Sequence, residues 1–208
     1  MKLYYLNATL LSEDAFSVLL SGAEPYRAER VLKGISPEMK KETVGTDALI
    51  KYAVSNESKV HPHSVRSAYK NGGAIYVVDS DVNISVAHSC GRVFVGVSDK
   101  KIGVDAELLR DIDWKKLSDR YFSEKEKERI ALSDDKKKEF LLLWTEKEAC
   151  FKYANEKYQS FLDVDTAFLP AHVHLEHDNC IVCAAGEETY ELFEITENDL
   201  VSLIPPKE

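Results

Sequence analysis

Two stretches of this 208-residue chain carry most of its chemistry: Ile102-Gly103-Val104-Asp105-Ala106-Glu107 and Trp144-Thr145-Glu146-Lys147-Glu148-Ala149-Cys150-Phe151-Lys152. The first stretch alternates apolar residues with carboxylates and therefore predicts a short strand. Side chains two residues apart on a strand point the same way. Asp105 and Glu107 are thus expected to share one face, while the apolar residues between them face a core.

The second stretch predicts a helix on which Trp144, Glu148 and Lys152 form one stripe, because residues four apart lie on the same helix face. Together the two stretches offer three carboxylates and a lysine. Carboxylates completed by waters and substrate phosphate are what Mg2+ prefers, and a lysine can meet a phosphate oxygen as a point charge. The alternative interpretation is a solvated acidic pair at a strand end and a surface ion pair between Glu148 and Lys152.

Both stretches resemble the signature motifs of the 4'-phosphopantetheinyl transferase superfamily. The first family motif is an apolar residue, Gly, an apolar residue, Asp, any residue and Glu. The second is Trp, two variable residues, Lys-Glu, and then Lys four residues after the Glu. Asp105 and Glu148 are 43 residues apart, within the family's usual separation. Between them, Arg120-Tyr121-Phe122-Ser123-Glu124-Lys125-Glu126 resembles the family stretch Arg-x-Phe-Ser-x-x-Glu.

The resemblance extends over about residues 25–185, although it is strongest between the two motifs. Asn83-Ile84-Ser85-Val86-Ala87-His88-Ser89 resembles the segment that supplies a His and a Ser to coenzyme A. Arg27, Arg30 and Thr43 resemble the basic pair and the hydroxyl with which the family contacts the nucleotide phosphate. Two departures stand out: Asn71-Gly72-Gly73 replaces the Gly-Lys-Pro of many long members, and Ala87 replaces a Ser.

The resemblance implies a fold and a reaction. The fold is α+β, of the long type with two lobes related by a pseudo-twofold axis and the active site in the cleft between them. We place the lobes at residues 1–98, on the side of the coenzyme A 3'-phosphate, and 99–208, with the metal and catalytic motifs. The reaction transfers the 4'-phosphopantetheine arm of coenzyme A to a serine of an apo acyl or peptidyl carrier protein. It releases adenosine 3',5'-bisphosphate and depends on Mg2+, with Mn2+ as a substitute.

The resemblance and the chemistry together suggest roles for individual residues. The base that takes the serine proton is expected to be Glu148 or, as second choice, Glu126. Lys152 is expected to meet a phosphate oxygen and therefore counts among both the catalytic and the coenzyme A-binding residues. The other candidates are the metal ligands Asp105, Glu107 and Glu148, and the coenzyme A contacts Arg27, Arg30, Thr43, His88 and Ser89.

Two other functional classes stay open beside the transferase. One is a module of the same fold that binds carrier proteins without catalysis, and the other is a metal-dependent phosphohydrolase that uses water in place of serine. The intact carboxylates and Lys152 argue against the first, and the paired motifs with the His-Ser segment argue against the second. Arg27 and Arg30 also have an alternative interpretation as a solvated helix face, because acidic residues neighbour them.

Charge and composition narrow the range of partners. The net charge of −9 argues against nucleic-acid binding through phosphate contacts. Residues 1–98 carry 11 Lys and Arg against 10 Asp and Glu, whereas residues 99–208 carry 16 against 26. No apolar run approaches the ~20 residues that span a bilayer, and the N-terminus lacks a signal-peptide pattern. We therefore expect a cytoplasmic protein without membrane contact, and a monomer in which two lobes form a pseudodimer.

Cysteine and histidine patterns were considered for metal binding. Four cysteines are expected to be reduced and mostly buried thiols: Cys90, Cys150, Cys180 and Cys183. His61 and His63 fall in a predicted loop and are expected at the surface. His172 and His174 would share a strand face, but the sequence shows no nearby acid that would complete a zinc set, so no zinc is expected there.

Periodicity and turn residues predict the secondary structure along the chain. The predicted strands cover residues 1–10, 74–78, 82–87, 92–97, 102–107, 172–176, 180–185 and 189–195. The predicted helices cover residues 12–21, 24–33, 36–55, 113–119, 123–132 and 136–153.

Overall fold

The structure, a computed structural model, describes residues 1–69, 74–154, 157–158, 160–166 and 169–204. The segment Asn71-Gly72-Gly73, where the sequence departs from the family pattern, lies outside these residues. Every predicted helix and strand is present, with ends that differ by three residues or fewer. The strands are β1 (Lys2–Asn7), β2 (Ser67–Tyr69), β3 (Ile75–Val77), β4 (Asn83–Ser89), β5 (Arg92–Ser98), β6 (Gly103–Leu108), β7 (His172–His177), β8 (Cys180–Ala185) and β9 (Glu191–Glu194). The α-helices are α1 (Glu13–Ser21), α2 (Pro25–Leu32), α3 (Pro37–Ser58), α4 (Trp114–Tyr121), α5 (Glu124–Leu132), α6 (Lys136–Ala154) and α7 (Glu197–Val201).

Local sequence explains where several helices begin. A serine hydroxyl accepts a hydrogen bond from an amide of the first turn at the start of three of them: Ser12 for α1, Ser36 for α3 and Ser123 for α5. The sequence did not predict β2, a strand of three residues, or α7, a helix of five residues.

Two of the three sheets in the described residues organise the mixed α+β fold, and the third is the antiparallel pair β2-β3. The larger has the strand order β4-β5-β1-β9, in which β1 runs antiparallel to β5 and parallel to β9. The smaller has the order β6-β8-β7, with both pairs antiparallel. Strands β4 and β5 form one hairpin, and β7 and β8 form another. In each sheet the second strand of the hairpin also pairs with a strand that comes earlier in the chain, β1 or β6. The orders β4-β5-β1 and β7-β8-β6 therefore have the same topology. The pseudo-twofold relation of two lobes in space stays a prediction.

Buried side chains fill the space between the two sheets and on their outer faces. The layer between the sheets includes Leu3, Phe94, Val104 and Val182. On the outer face of the larger sheet, helices α1 and α3 contribute Leu19, Val44, Leu49 and Ile50 to a second core. The outer face of the smaller sheet is covered by α6, and this packing brings the two sequence motifs together.

A glycine allows α6 to approach β6 closely. A Cβ atom at Gly103 would lie 2.0 Å from the Ala149 carbonyl oxygen and 2.5 Å from the Tyr153 nitrogen, so no larger residue fits. Residues 103, 105 and 107 share this face of the strand. The glycine of the first motif thus has a physical role, because it admits the helix that carries the second motif.

The end of the described chain returns to the larger sheet. Strand β9 pairs with β1, and Ile195 and Leu200 pack in the core beneath α1 and α3. These residues lie with the first half of the chain in space, and the division at residue 98 stays a prediction. In the part of the chain that the structure describes, no helix is both long and apolar enough to cross a membrane.

Candidate active site

The candidate site lies where β4 of the larger sheet meets β6 of the smaller one. Serine hydroxyls of β4 bridge the two strands: Ser85 Oγ accepts a hydrogen bond from the Val104 amide at 2.8 Å, and Ser89 Oγ accepts one from the Leu108 amide at 3.0 Å. Ser89 also donates to Glu107 Oε2 at 2.9 Å. The serine predicted to contact coenzyme A therefore orients a predicted metal ligand in this structure.

Lys152 of α6 joins the same two strands. Its ammonium donates to Asp105 Oδ1 at 2.7 Å, to the Val104 carbonyl at 3.0 Å and to the Val86 carbonyl at 3.3 Å. An ammonium has three donors, and all three have acceptors here. The side chain is 31 % exposed, so the pair with Asp105 is only partly buried. The surface ion pair considered for Lys152 involves Asp105 in the structure rather than Glu148.

The three predicted metal ligands perturb one another. Burial raises the pKa of Asp105 despite the opposing charge of Lys152. Burial, followed by the charge of Asp105, raises the pKa of Glu107, and the same two causes raise the pKa of Glu148. Asp105 Oδ2 is buried and has no hydrogen-bond partner among the described residues. Crowded carboxylate oxygens, one of them unpartnered, fit a hard divalent cation such as Mg2+.

The tightest potential metal-binding group in the described residues lies elsewhere. The ligand atoms of Glu146, His172 and His174 all lie within 4.8 Å of one another, whereas the three predicted Mg2+ ligands do not form so compact a group. The expectation that no acid completes the histidine pair is wrong. Glu146 is 26 residues away in sequence, and only the packing of α6 on β7 brings it to the histidines.

His88 faces the opposite side of β4 from Ser89 and contacts α3. Its Nδ1 lies 3.1 Å from Glu42 Oε1, and Glu42 Oε2 accepts a hydrogen bond from the Gly91 amide at 2.8 Å. Burial of Glu42 raises its pKa, but the hydrogen bond and charge of His88, the Gly91 amide and the charge of Arg30 together outweigh this effect, so its pKa is lowered. Sequence analysis missed Glu42, and its only signal was its position beside Thr43.

The other predicted coenzyme A contacts differ in their surroundings. Arg27 is only 4 % exposed, and its Nε lies 3.2 Å from Asp47 Oδ1, so the alternative of a solvated helix face does not hold for it. Its Nη2 is buried without a hydrogen-bond partner among the described residues. Arg30 is exposed, and its charge contributes to lowering the pKa of Glu42. Thr43 is buried and donates its hydroxyl hydrogen to the Met39 carbonyl at 2.7 Å.

Glu126, the second choice for the base, is engaged elsewhere. Its Oε2 accepts hydrogen bonds from the Ser123 amide and hydroxyl in a capping box at the start of α5. Lys147 Nζ lies 3.1 and 3.2 Å from its two carboxylate oxygens, and both side chains are buried. Removing Glu126 would therefore leave a buried ammonium unpaired, which makes its structural role strong.

Trp144 is partly buried and lies against Phe122, Phe140 and Phe161. The expectation of mostly buried thiols is confirmed. All four cysteines are free, and three of them are buried while Cys90 is exposed.

Comparison with known families supports the resemblance of the motifs. Residues 101–194 match the sequence profile of the 4'-phosphopantetheinyl transferase superfamily. A search of curated proteins gave no match. The matched range contains β6 and α6, and with them Asp105, Glu107, Glu148 and Lys152. It does not distinguish the long type, which stays a prediction. Over residues 101–194 the chain is therefore similar to the 4'-phosphopantetheinyl transferase superfamily.

Proposed function

We propose that the protein transfers the 4'-phosphopantetheine arm of coenzyme A to the serine hydroxyl of an apo acyl or peptidyl carrier protein, releasing adenosine 3',5'-bisphosphate. The observation that best supports this proposal is the convergence of both motifs at one place, where Lys152 pairs with Asp105 beside Glu107 and Glu148. All four side chains come from one chain, so the proposed site needs no second copy.

Residues at the edge of β4 and α3 are proposed to hold the 3'-phosphate of coenzyme A. Arg30 and His88 are exposed cationic or hydrogen-bonding groups next to Glu42. Arg27 lies deeper, and one of its guanidinium nitrogens has no partner among the described residues, so a phosphate oxygen would satisfy this donor. The Thr43 hydroxyl would donate to a phosphate oxygen only after it gives up its hydrogen bond to the Met39 carbonyl. We therefore assign Thr43 a minor part in binding coenzyme A.

The proposed metal ligands are Asp105, Glu107 and Glu148. Bound there, Mg2+ or Mn2+ would neutralise charge on the pyrophosphate and on the leaving group. The chain already orients one of these carboxylates, because Ser89 donates a hydrogen bond to Glu107. Lys152 compensates part of that charge and, by exchanging one carbonyl acceptor for a phosphate oxygen, is proposed to contact the substrate.

Glu148 is proposed as the base that removes the proton from the attacking serine. Its pKa is raised by burial and by the charges of Asp105 and Glu107, which strengthens a carboxylate as a base near neutrality. Glu126 is less suited to this role, because the Ser123 cap and Lys147 occupy both of its oxygens.

One experiment tests the proposal directly. The protein is incubated with coenzyme A, Mg2+ and a panel of apo carriers from fatty-acid, polyketide and peptide synthases, and each carrier is weighed by mass spectrometry. We expect at least one carrier to gain a phosphopantetheinyl group. Release of adenosine 3',5'-bisphosphate without any carrier modification would instead support the phosphohydrolase. Carrier binding without either product would support the non-catalytic module.

A further inference from the structure

We propose that Glu146, His172 and His174 form a second metal site, suited to Zn2+, that fastens α6 to β7. Ligand atoms of the three side chains lie within 4.8 Å of one another, and His174 Nε2 is 3.6 Å from Glu146 Oε1. Two imidazoles and one carboxylate are a ligand set that Zn2+ accepts, with water in the fourth position. Nitrogen ligands favour Zn2+ over Mg2+, so this site differs in preference from the carboxylates around Asp105.

An unsatisfied nitrogen supports the site independently of its compactness. His174 Nε2 is buried and has no hydrogen-bond partner among the described residues. Buried polar atoms in folded proteins nearly always have a partner, and an exception calls for an explanation such as an ion. A metal ion between His174 and Glu146 would supply that partner.

The hydrogen bond of His172 leaves its other nitrogen available to a metal. Its Nδ1 lies 2.9 Å from the Pro170 carbonyl oxygen. Because a carbonyl can only accept, Nδ1 carries the proton and Nε2 keeps its lone pair. A histidine ligand typically has its second nitrogen fixed in this way by a carbonyl or carboxylate.

Glu146 is held in place from the side opposite the histidines. Arg129 Nη1 donates to Glu146 Oε2 at 2.9 Å, and Arg129 Nη2 donates to Oε1 at 3.1 Å. These bonds orient the Glu146 carboxylate and leave each oxygen a second lone pair for a cation. The charge of Arg129 opposes cation binding, but its side chain is 45 % exposed, so solvent screens that charge.

The helix carries its two sites on different sides. Glu148 is coupled to Asp105 of β6, whereas Glu146 meets the histidines of β7 at the far edge of the same sheet. A metal ion at Glu146 would therefore cross-link α6 to β7 without occupying the catalytic carboxylates. Its expected effect is to stabilise the fold around α6.

The chain offers a matched control for the test. His61 and His63 form another pair two residues apart, with ring centroids separated by 5.3 Å against 5.6 Å for His172 and His174. Metal-stripped wild type, the double variant His172→Gln/His174→Gln and the double variant His61→Gln/His63→Gln are titrated with Zn2+ by calorimetry in excess Mg2+. Thermal midpoints are measured with Zn2+ and with a chelator.

We expect one equivalent of Zn2+ to bind the wild type and raise its thermal midpoint. The His172→Gln/His174→Gln variant should lose at least about 10-fold in affinity and lose the midpoint rise, while the His61→Gln/His63→Gln variant keeps both. Equal affinity in all three proteins, or no binding to the wild type, would overturn the proposal.

Two further variants guard against misfolding and a misplaced ion. The single variant His172→Gln replaces a ring that is partly exposed. Its thermal midpoint in chelator should match that of the wild type, whereas its affinity for Zn2+ should fall. The variant Asp105→Asn should keep Zn2+ binding. Loss of binding in Asp105→Asn together with full binding in His172→Gln would place Zn2+ at the catalytic carboxylates and refute the second site. These readouts do not depend on transferase activity.

Discussion

Lys152 Nζ lies 2.7 Å from Asp105 Oδ1, which joins the lysine of the second sequence motif to the aspartate of the first. The same ammonium reaches backbone carbonyls of both β4 and β6. The pair thus has two effects: it neutralises a buried carboxylate, and it fastens the smaller sheet to the larger one beside the proposed site.

Lys152→Met should therefore impair both stability and activity. We expect the free energy of unfolding in metal-free buffer to fall by about 2 kcal/mol, less than for a fully buried pair because Lys152 is partly exposed. Added Mg2+ should recover part of that loss, since a cation compensates Asp105. Urea unfolding with and without Mg2+ measures this. Lys101→Met is the control, because Lys101 donates to the Ala154 carbonyl at the surface; equal losses in both variants would contradict the role of Lys152.

Asp105→Ala should nearly abolish transfer to an apo carrier. Asp105 has a buried oxygen with no hydrogen-bond partner in the part of the chain that the structure describes, and its loss removes both charge and a candidate ligand. We expect a decrease of ~100-fold or more in the rate, since even indirect disruption of metal sites costs 10–100-fold. The rate is measured over a range of Mg2+ concentrations. The control is Asp111→Ala, which removes an exposed carboxylate after the same strand and should leave the transfer rate unchanged. A fully active Asp105→Ala variant would refute the metal site.

Glu148→Gln should separate chemistry from carrier recognition. Glutamine keeps the volume of glutamate but is neither a base nor a good metal ligand. We expect single-turnover transfer at saturating Mg2+ to fall by at least ~100-fold, while affinity for the apo carrier stays near the wild-type value, because a carrier docks through a wide surface. Normal transfer would pass the base role to Glu126. Loss of carrier binding would indicate misfolding, which a thermal melt of the same sample would reveal.

Arg27 and Arg30 should respond differently to truncation. Arg27→Ala removes a buried partner of Asp47 and should lower the free energy of unfolding by about 2 kcal/mol, because Lys51 still pairs with that aspartate. Arg30→Ala should leave stability unchanged and weaken coenzyme A by about fivefold, with little effect on its 3'-dephospho analogue. Calorimetric titration with both ligands measures this. Lys33→Ala, an exposed cation directly after α2, should affect neither ligand; equal losses for both ligands in Arg30→Ala would place Arg30 away from the 3'-phosphate.

Stability in acid should depend on Asp178, in the turn between β7 and β8. The hydroxyl of Tyr5 donates to its carboxylate and, with the charge of Arg92, holds the pKa of Asp178 below its usual range. A lowered pKa contributes stability above the unfolded value of about 4, and that contribution is lost as the pH falls through the folded pKa.

Asp178→Asn should therefore cost about 1 kcal/mol near neutral pH and progressively less below about pH 4. Asparagine suits the turn, because Asp178 and Asn179 both have positive φ angles, 44° and 59°. Urea unfolding across this pH range is the measurement, with Asp134→Asn as a surface control. A deficit that stays constant with pH would rule out the carboxylate as its source.

Local sequence determined the helices, the strands and the identity of the two motifs. Alternation over residues 102–107 and helical spacing over residues 144–152 depend on neighbours a few positions apart, so periodicity was enough to place them. The glycine at position 103 belongs to the same local signal, although its physical reason, the close approach of Ala149, became visible only in the packed structure.

Tertiary structure decided which charged groups meet. Lys152 pairs with Asp105 rather than Glu148, His88 with Glu42, and Glu126 with Lys147. The acid that completes the histidine pair of β7 comes from α6, and β9 returns to the first strand of the chain. Such contacts join residues that are 21 to nearly 200 positions apart, and a side chain's partners there depend on how helices and sheets pack. Local propensity holds no information on that packing, which is set by burial of the apolar faces as a whole.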